Sequence, residues 1–344
     1  MIREAIVRLA DRQDLSPADA SMVMGEILAG EATPAQIAAF AVALRMKGET
    51  DEEVAALART LRERARPFPL PAGVTGEHLL DTCGTGGDGS GTFNVSTAVA
   101  FVAAGAGARV AKHGNRAASS RAGSADCLES LGVHLELAPE EASACLEQTG
   151  VVFLFAQHYH AGYRHAASPR REIGVRTVFN ALGPLANPAG AGRQLVGVFA
   201  PAWVPRLARV LGLLGARSAC VVHSEDGWDE LSVFAPSRLA WFEDGRVCEE
   251  TVNPAAFGLA HTEREKAMGG EAAENAARLR ALLRGDEKGV ARDLVLLNAA
   301  AALRVAGLAS DWESALATAR ESLDSGRALG RLEAMIAFCR GRKQ

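Results

Sequence analysis

The sequence predicts an α/β protein, with a small all-α domain ahead of a larger α/β domain whose central sheet is mostly parallel. Three observations lead there. The first 66 residues carry helix-start signals and helical periodicity. From residue 76 onward, short apolar runs alternate with helical patterns, as in parallel strands covered by helices. Glycine-rich or polar loops follow several of those runs directly, and ligands bind beyond the carboxyl ends of such strands.

In chain order, Ser16-Pro17 and Thr33-Pro34 each set a capping hydroxyl before a proline suited to the first helical turn. Thr50-Asp51-Glu52-Glu53 reads as a capping box whose acids favour a helix N-terminus. Ile37, Phe40, Ala41 and Leu44 share one helical face, as do Val54, Leu57, Ala58 and Leu61. Gly30 and Gly48 stand where helices would end. Pro67 to Pro71 then reads as a stiff linker. Strands are expected at Leu79–Thr82, Ala108–Ala111, His134–Leu135, Val151–Phe155, Leu195–Phe199 and Ala219–His223. The tail from 271 reads as amphipathic helix.

Length and composition narrow the classes. A chain of 344 residues supports a large core and two domains. A net charge of −4 argues against a nucleic-acid partner by bulk electrostatics. The most apolar stretch, Val95 to Val110, carries Arg109 and is too short to span a bilayer, so no membrane partner is expected. The N-terminus has no signal-peptide core, and the six cysteines are far apart with no CxxC pair. Reduced thiols and a cytoplasmic location are the expectation. Cys83 lies beside the glycine loop, but nothing near it marks a nucleophile.

The chemistry is concentrated in three stretches. After Leu79-Leu80 the chain breaks into Gly84-Thr85-Gly86-Gly87-Asp88-Gly89-Ser90-Gly91, then Thr92, Asn94, Ser96 and Thr97, and then a helical segment. Glycines let backbone N–H groups turn toward an anion, and a helix N-terminus behind them adds donors and partial positive charge. A second strand opens into Lys112-His113-Gly114-Asn115-Arg116-Ala117-Ala118-Ser119-Ser120-Arg121, a second anion cradle. Two cradles indicate a substrate phosphorylated at both ends. The third stretch is Ser224-Glu225-Asp226-Gly227-Trp228-Asp229-Glu230-Leu231-Ser232. Its acids are either a solvated turn or ligands for a hard cation such as magnesium. Two unit charges about 5 Å apart at an effective dielectric of 20 repel by roughly 3 kcal/mol. A helix terminus offers an anion only about 0.3–1 kcal/mol. A phosphorylated ligand beside these acids therefore needs a cation.

GTGGDGSGTFNVST, KHGNRAASS and SADCLESLG resemble the anthranilate phosphoribosyltransferases, tryptophan-pathway enzymes of the class that also holds the pyrimidine nucleoside phosphorylases. The likeness runs over nearly the whole chain. It implies a helical domain at 1–70, joined by a returning segment at about 160–190, and an α/β domain at 76–159 and 191–344. It also implies displacement of diphosphate from 5-phosphoribosyl 1-diphosphate by the amine of anthranilate. No covalent catalytic nucleophile is expected. The resemblance assigns the sugar diphosphate to Gly84, Gly87, Asp88, Thr92, Asn94, Val95, Ser96 and Thr97, to Lys112, His113, Gly114, Asn115, Arg116, Ala117, Ala118, Ser119 and Ser120, and to Ser124. Anthranilate falls to Gly84, Asn115 and Arg170, and magnesium, two ions per subunit, to Ser96, Asp229 and Glu230. A homodimer through the helical domain is also implied.

Guanidinium suits a carboxylate, although Arg170 followed by Arg171 also reads as a plain surface run. The chain departs from the family pattern at Ala161, where proline is usual, and at Ser168-Pro169, where Pro-Val is usual. His158 and His160 have no Cys or acidic partner flanking them, against zinc. Two rivals remain: a nucleoside phosphorylase, needing neither the full second cradle nor the acidic pair, and a nucleic-acid-binding relative that has lost catalysis, which would carry a basic surface.

Overall fold

In the computed structural model, residues 1–117 and 121–340 are described. Seven segments between residues 79 and 252 form one sheet: β1 (Leu79–Gly84), β2 (Arg109–Gly114), β3 (Val151–Phe155), β4 (Arg193–Gly197), β5 (Ser218–Ser224), β6 (Ser237–Glu243) and β7 (Arg246–Val252). The order is β3-β2-β1-β4-β5-β6-β7. β1 to β5 pair in parallel, and β6 and β7 are antiparallel. All five residues of β3 are buried, the continuous apolar run expected of a strand covered on both faces.

One face carries the buried helices Val95–Gly105 and Val290–Val305, whose small residues allow close approach. At Gly105 a Cβ would stand 2.6 Å from the Ala328 nitrogen, so only glycine fits where Val95–Gly105 meets the C-terminal helix Arg327–Arg340. The other face is covered by Trp203–Leu213, whose apolar side joins the core of the N-terminal helices.

The N-terminal helices are Ile2–Ala10, Pro17–Ala29, Pro34–Lys47 and Asp51–Glu63, and the last three start where the caps predict. The Asp19 N–H donates to Ser16 Oγ at 3.1 Å, and full capping boxes form at Thr33/Gln36 and Thr50/Glu53. Glu53 does more than cap. Fully buried, it accepts from the Leu15 N–H and Lys47 Nζ, each at 2.8 Å. The later segment Val178–Leu185 returns to pack against Asp51–Glu63 and Pro34–Lys47.

One strand expectation needs correction and one hairpin goes beyond the sequence reading. His134–Leu135 forms no strand; it lies in turns before the helix Pro139–Thr149, where Leu135 and Leu137 find burial without a ladder partner. The β6–β7 hairpin was not anticipated. Its turn, Asp244-Gly245, has φ of 48° and 76°, the left-handed pair that favours a tight hairpin. No helix among the described residues is long and apolar enough to cross a membrane.

Candidate active site

Because β1, β2, β4 and β5 are parallel, the loops after them leave the same edge of the sheet. β1 ends at Gly84, paired in register with Gly197 at the end of β4. A Cβ on Gly84 would meet Asp229 Oδ2 at 2.6 Å, and one on Gly197 would stand 1.4 Å from the Asp229 carbonyl oxygen. The two glycines therefore make the gap through which the acidic loop from β5 reaches the glycine loop. Gly86 and Gly87 have φ of 62° and 69°, and the helix Val95–Gly105 begins just behind.

Hydrogen bonds join the two loops. The Gly86 N–H donates to Asp229 Oδ2 at 2.8 Å, and the Asp229 N–H donates to Asp88 Oδ2 at 3.1 Å. Ser90 gives both its N–H and its hydroxyl to Asp88 Oδ1. Thr92 Oγ1 donates to Glu230 Oε2 at 3.4 Å. Burial and the Asp88 carboxylate push the Asp229 carboxyl up to about 7, and burial with Asp229 and Asp88 pushes Glu230 well above the usual range. Negative charge is in excess at this rim.

The donor set fits magnesium rather than a softer metal. Oxygen ligands only are offered, by Asp229, Glu230 and nearby hydroxyls. Among the described residues no three His, Cys, Asp or Glu side chains form a closed ligand set. A hard ion that takes one or two carboxylates and fills the rest of its shell with water and phosphate oxygens meets that description.

The cation at the centre is Lys112 on β2. It is buried, and its Nζ donates to the Thr82 carbonyl and, at 3.2 Å, to Ser96 Oγ. Burial pushes Lys112 down and Asp81 up, while their mutual attraction opposes both shifts. Asp81 accepts from the His113 N–H at 3.1 Å and from Asn187 Nδ2 at 2.8 Å. His113 is fully enclosed, and burial with His160 nearby drops its pKa to about 3. Asn115 Oδ1 accepts from the Arg116 N–H and from Gln157 Nε2.

Other predicted donor residues are turned elsewhere. The Arg116 guanidinium pairs with Asp126 at 2.9 Å and Glu129 at 2.7 Å and stacks over Phe155, so its charge is engaged away from the glycine loop. The Ala117 N–H is held by Asp126. Thr97 is buried with Oγ1 unpartnered, and Val95 packs in the core. Gly114 leaves space for Ser124, whose Oγ would lie 2.3 Å from a Cβ there. Ala118, Ser119 and Ser120 lie outside the described residues.

Arg170, expected from the sequence to meet the anthranilate carboxylate, sits on the short helix Ala167–Ile173 with its guanidinium 5.5 Å from the Tyr163 ring centroid. It has no hydrogen bond or ion pair among the described residues, which leaves its fork open to a carboxylate. Tyr163 is fixed in turn by its hydroxyl, which donates to the Phe179 carbonyl at 2.8 Å.

Comparison with known proteins follows the same map. A glycosyl transferase family model for the helical bundle domain matches residues 3–65, and one for the a/b domain matches 76–329. The anthranilate phosphoribosyltransferase of Thioalkalivibrio sulfidiphilus is 51% identical over 98% of both chains, and that of Moorella thermoacetica is 50% identical at the same coverage. The chain belongs to the anthranilate phosphoribosyltransferase family. Among solved structures, the enzyme from Thermus thermophilus superposes with a TM-score of 0.91 at 46% identity, covering 98% of this chain and 99% of that one. The Saccharomyces cerevisiae anthranilate phosphoribosyltransferase, solved in complex with PRPP and Mg, has a TM-score of 0.89 at 27% identity, covering 99% and 98%.

Within an anthranilate phosphoribosyltransferase, four residues at this edge escaped the sequence reading. Asp81 and Asn187 form the buried pair beneath Lys112; an acid inside the apolar run Leu79-Leu80-Asp81 was the available signal. Asn298 brackets the residue after Glu230, accepting from the Leu231 N–H and donating to its carbonyl. Gly197 carried no signal, because its neighbour Asp229 is known only from the fold.

Proposed function

We propose that this chain transfers the phosphoribosyl group of 5-phosphoribosyl 1-diphosphate to the amine of anthranilate, releasing diphosphate and forming N-(5-phosphoribosyl)anthranilate for tryptophan biosynthesis. The observation that carries the reading is the meeting of segments after β1, β2 and β5: Gly86 and Asp88 bond Asp229, Asn94 donates to the Ala122 carbonyl, and Lys112 at the end of β2 reaches Ser96 Oγ. The glycine loop around Gly87 and Asp88, held in shape by the bonds of Gly86 and Ser90, and the start of Val95–Gly105 receive the diphosphate, and Lys112 supplies fixed positive charge. Magnesium, two ions per subunit, held by Ser96, Asp229 and Glu230, supplies the charge neutralisation that the leaving diphosphate needs.

The acceptor lies against Gly84 and Asn115 with its carboxylate on Arg170. The open guanidinium supports that placement, and the S. cerevisiae enzyme's complex with 4-fluoroanthranilate supports an acceptor of this class. The residues around the cleft orient two reactants rather than form a covalent intermediate. Cys83 fits that reading, since burial pushes its thiol well above the ordinary value and away from thiolate. The helical domain at 1–70 with about 160–190, the α/β domain at 76–159 with 191–344, a homodimer through the former and a cytoplasmic location belong to the same proposal. Packing of Val178–Leu185 on the N-terminal helices supports the division.

The test is an anthranilate fluorescence assay with magnesium and the sugar diphosphate. Loss of signal matched by diphosphate release is the expected result; no turnover with anthranilate, or turnover without diphosphate release, would overturn the reading.

A further inference from the structure

The stretch from 259 to 275 shows no motif, yet it touches both loops of the donor site. Its first part lies on the acidic loop. The His261 N–H donates to the Val233 carbonyl at 2.9 Å. Arg264 pairs with Asp226 Oδ2 at 2.9 Å and stacks over Trp228 and Phe234, with its Cζ 5.9 and 5.6 Å from the ring centroids. Asp226 is nearly buried and accepts the hydroxyls of Ser224 and Ser232, the two ends of the loop that carries Asp229 and Glu230. Arg264 therefore closes a loop whose acids repel one another.

The second part lies on the glycine loop. Met268 bridges to Thr92, the Phe93 N–H donates to the Ala267 carbonyl at 3.2 Å, and the Gly269 N–H donates to the Gly91 carbonyl at 2.8 Å. A Cβ on Gly269 would stand 2.8 Å from the Thr92 carbonyl oxygen, so the strands of backbone touch there. Arg278 ties the end down, donating to the Met268 carbonyl at 2.7 Å with its Cζ 4.6 Å from the Phe93 ring centroid. Asn275, itself buried, accepts from the Gly270 N–H and donates to Asn94 Oδ1 at 3.1 Å.

We infer that residues 261–275 form a strap that sets the spacing between the glycine loop and the acidic loop, with Arg264 and Asn275 as positioning residues for the magnesium-bound sugar diphosphate. A few residues of one segment hold both banks of the site. A shift at Asp226 therefore reaches Thr92 and Asn94 through packed backbone rather than through the ligand. The inference deepens the proposed donor site and rests on it.

The experiment has two arms on the full chain. Hydrogen–deuterium exchange of the ligand-free protein compares wild type with Arg264→Ala and Asn275→Ala. Of the two loops, Arg264 bonds the acidic one and Asn275 the glycine one among the described residues, yet each change is expected to speed exchange in peptides covering both 84–94 and 224–232. Calorimetric titration with 5-phosphoribosyl 1-diphosphate in magnesium is expected to show about tenfold weaker binding for Arg264→Ala. Arg264→Lys, which keeps the charge opposite Asp226, should recover part of that loss, with the KM for anthranilate unchanged throughout. Faster exchange confined to the loop each residue touches would overturn the strap, as would equal losses for both substrates. Failure of the wild-type chain to bind the sugar diphosphate would instead sink the donor-site reading, since the exchange arm needs no ligand.

Discussion

The proposed donor and acceptor halves of the site are built differently. The donor half stands on the ends of β1, β2 and β5 and consists of backbone amides, glycines chosen for φ or for clearance, and carboxylates tied loop to loop. The acceptor half stands on short helical turns between 161 and 173 and offers one stacked guanidinium. The difference follows from the ligands. A diphosphate spreads charge over many oxygens and needs many donors at fixed positions, whereas a single carboxylate is satisfied by one fork. Damage to the two halves should therefore separate cleanly in kinetics.

The largest effect is expected from Gly197→Ala. Its Cβ would collide with the Asp229 backbone, so the acidic loop must move by an ångström or more. Misplacement of that size costs on the order of a hundredfold in kcat/KM. The loss should appear for the sugar diphosphate with the binding constant for anthranilate nearly intact. If both substrates suffer alike, the halves are not separate. Melting temperature measured alongside distinguishes a displaced loop from an unfolded chain.

Arg170→Ala sharpens the other side. Removing a charged hydrogen-bond donor to a carboxylate costs about 1.5–3 kcal/mol, or roughly ten- to a hundredfold in the KM for anthranilate. The KM for the donor substrate should stay within a factor of about two. A parallel rise in both constants would strip Arg170 of its assigned role. Asp229→Asn is the next smaller change. It keeps shape and a hydrogen-bonding oxygen for Gly86 but loses charge, and the magnesium concentration for half-maximal rate should rise by about tenfold. An unchanged requirement would remove Asp229 from the metal.

Legibility in the sequence follows the same division. The helical caps at Ser16, Thr33 and Thr50 were readable because each is a local bond between residues three apart. The parallel sheet was readable from β3 and its neighbours, whose apolar runs leave no alternative burial. His134–Leu135 misled because two residues of strand pattern cannot be told from a buried turn. The Asp244-Gly245 turn was a readable hairpin signal that was passed over. Glycine-loop and acidic-loop motifs announced themselves, but the sequence could not say that Arg116 faces Asp126 and Glu129. Nor could it say that Gly197, far along the chain, clears the path for Asp229. Such pairings are made by the fold and leave no local pattern.

The last effect is on stability rather than on rate and concerns His113, whose ring contacts His160 just ahead of the turns at 161–173. The folded chain keeps His113 neutral down to about pH 3, whereas an unfolded imidazole protonates near 6.5. Below pH 6.5 the unfolded state takes up a proton that the native state refuses, so stability falls by about 1.4 kcal/mol per pH unit. Buried carboxylates such as Asp81 act in the opposite sense, so a difference measurement isolates the imidazole. Between pH 7 and 5, urea unfolding should cost wild type about 2 kcal/mol more stability than His113→Asn loses. Parallel pH profiles would contradict the buried neutral assignment.

The most direct test of the three-loop site is a crystal of the protein grown with manganese and 5-phosphoribosyl 1-diphosphate, read by anomalous scattering. Peaks beside Ser96, Asp229 and Glu230, with the diphosphate lying along Gly86 to Thr92 and within reach of Lys112, are the expected result. Metal density away from Asp229 and Glu230, or a diphosphate seated outside the loops after β1, β2 and β5, would contradict the account.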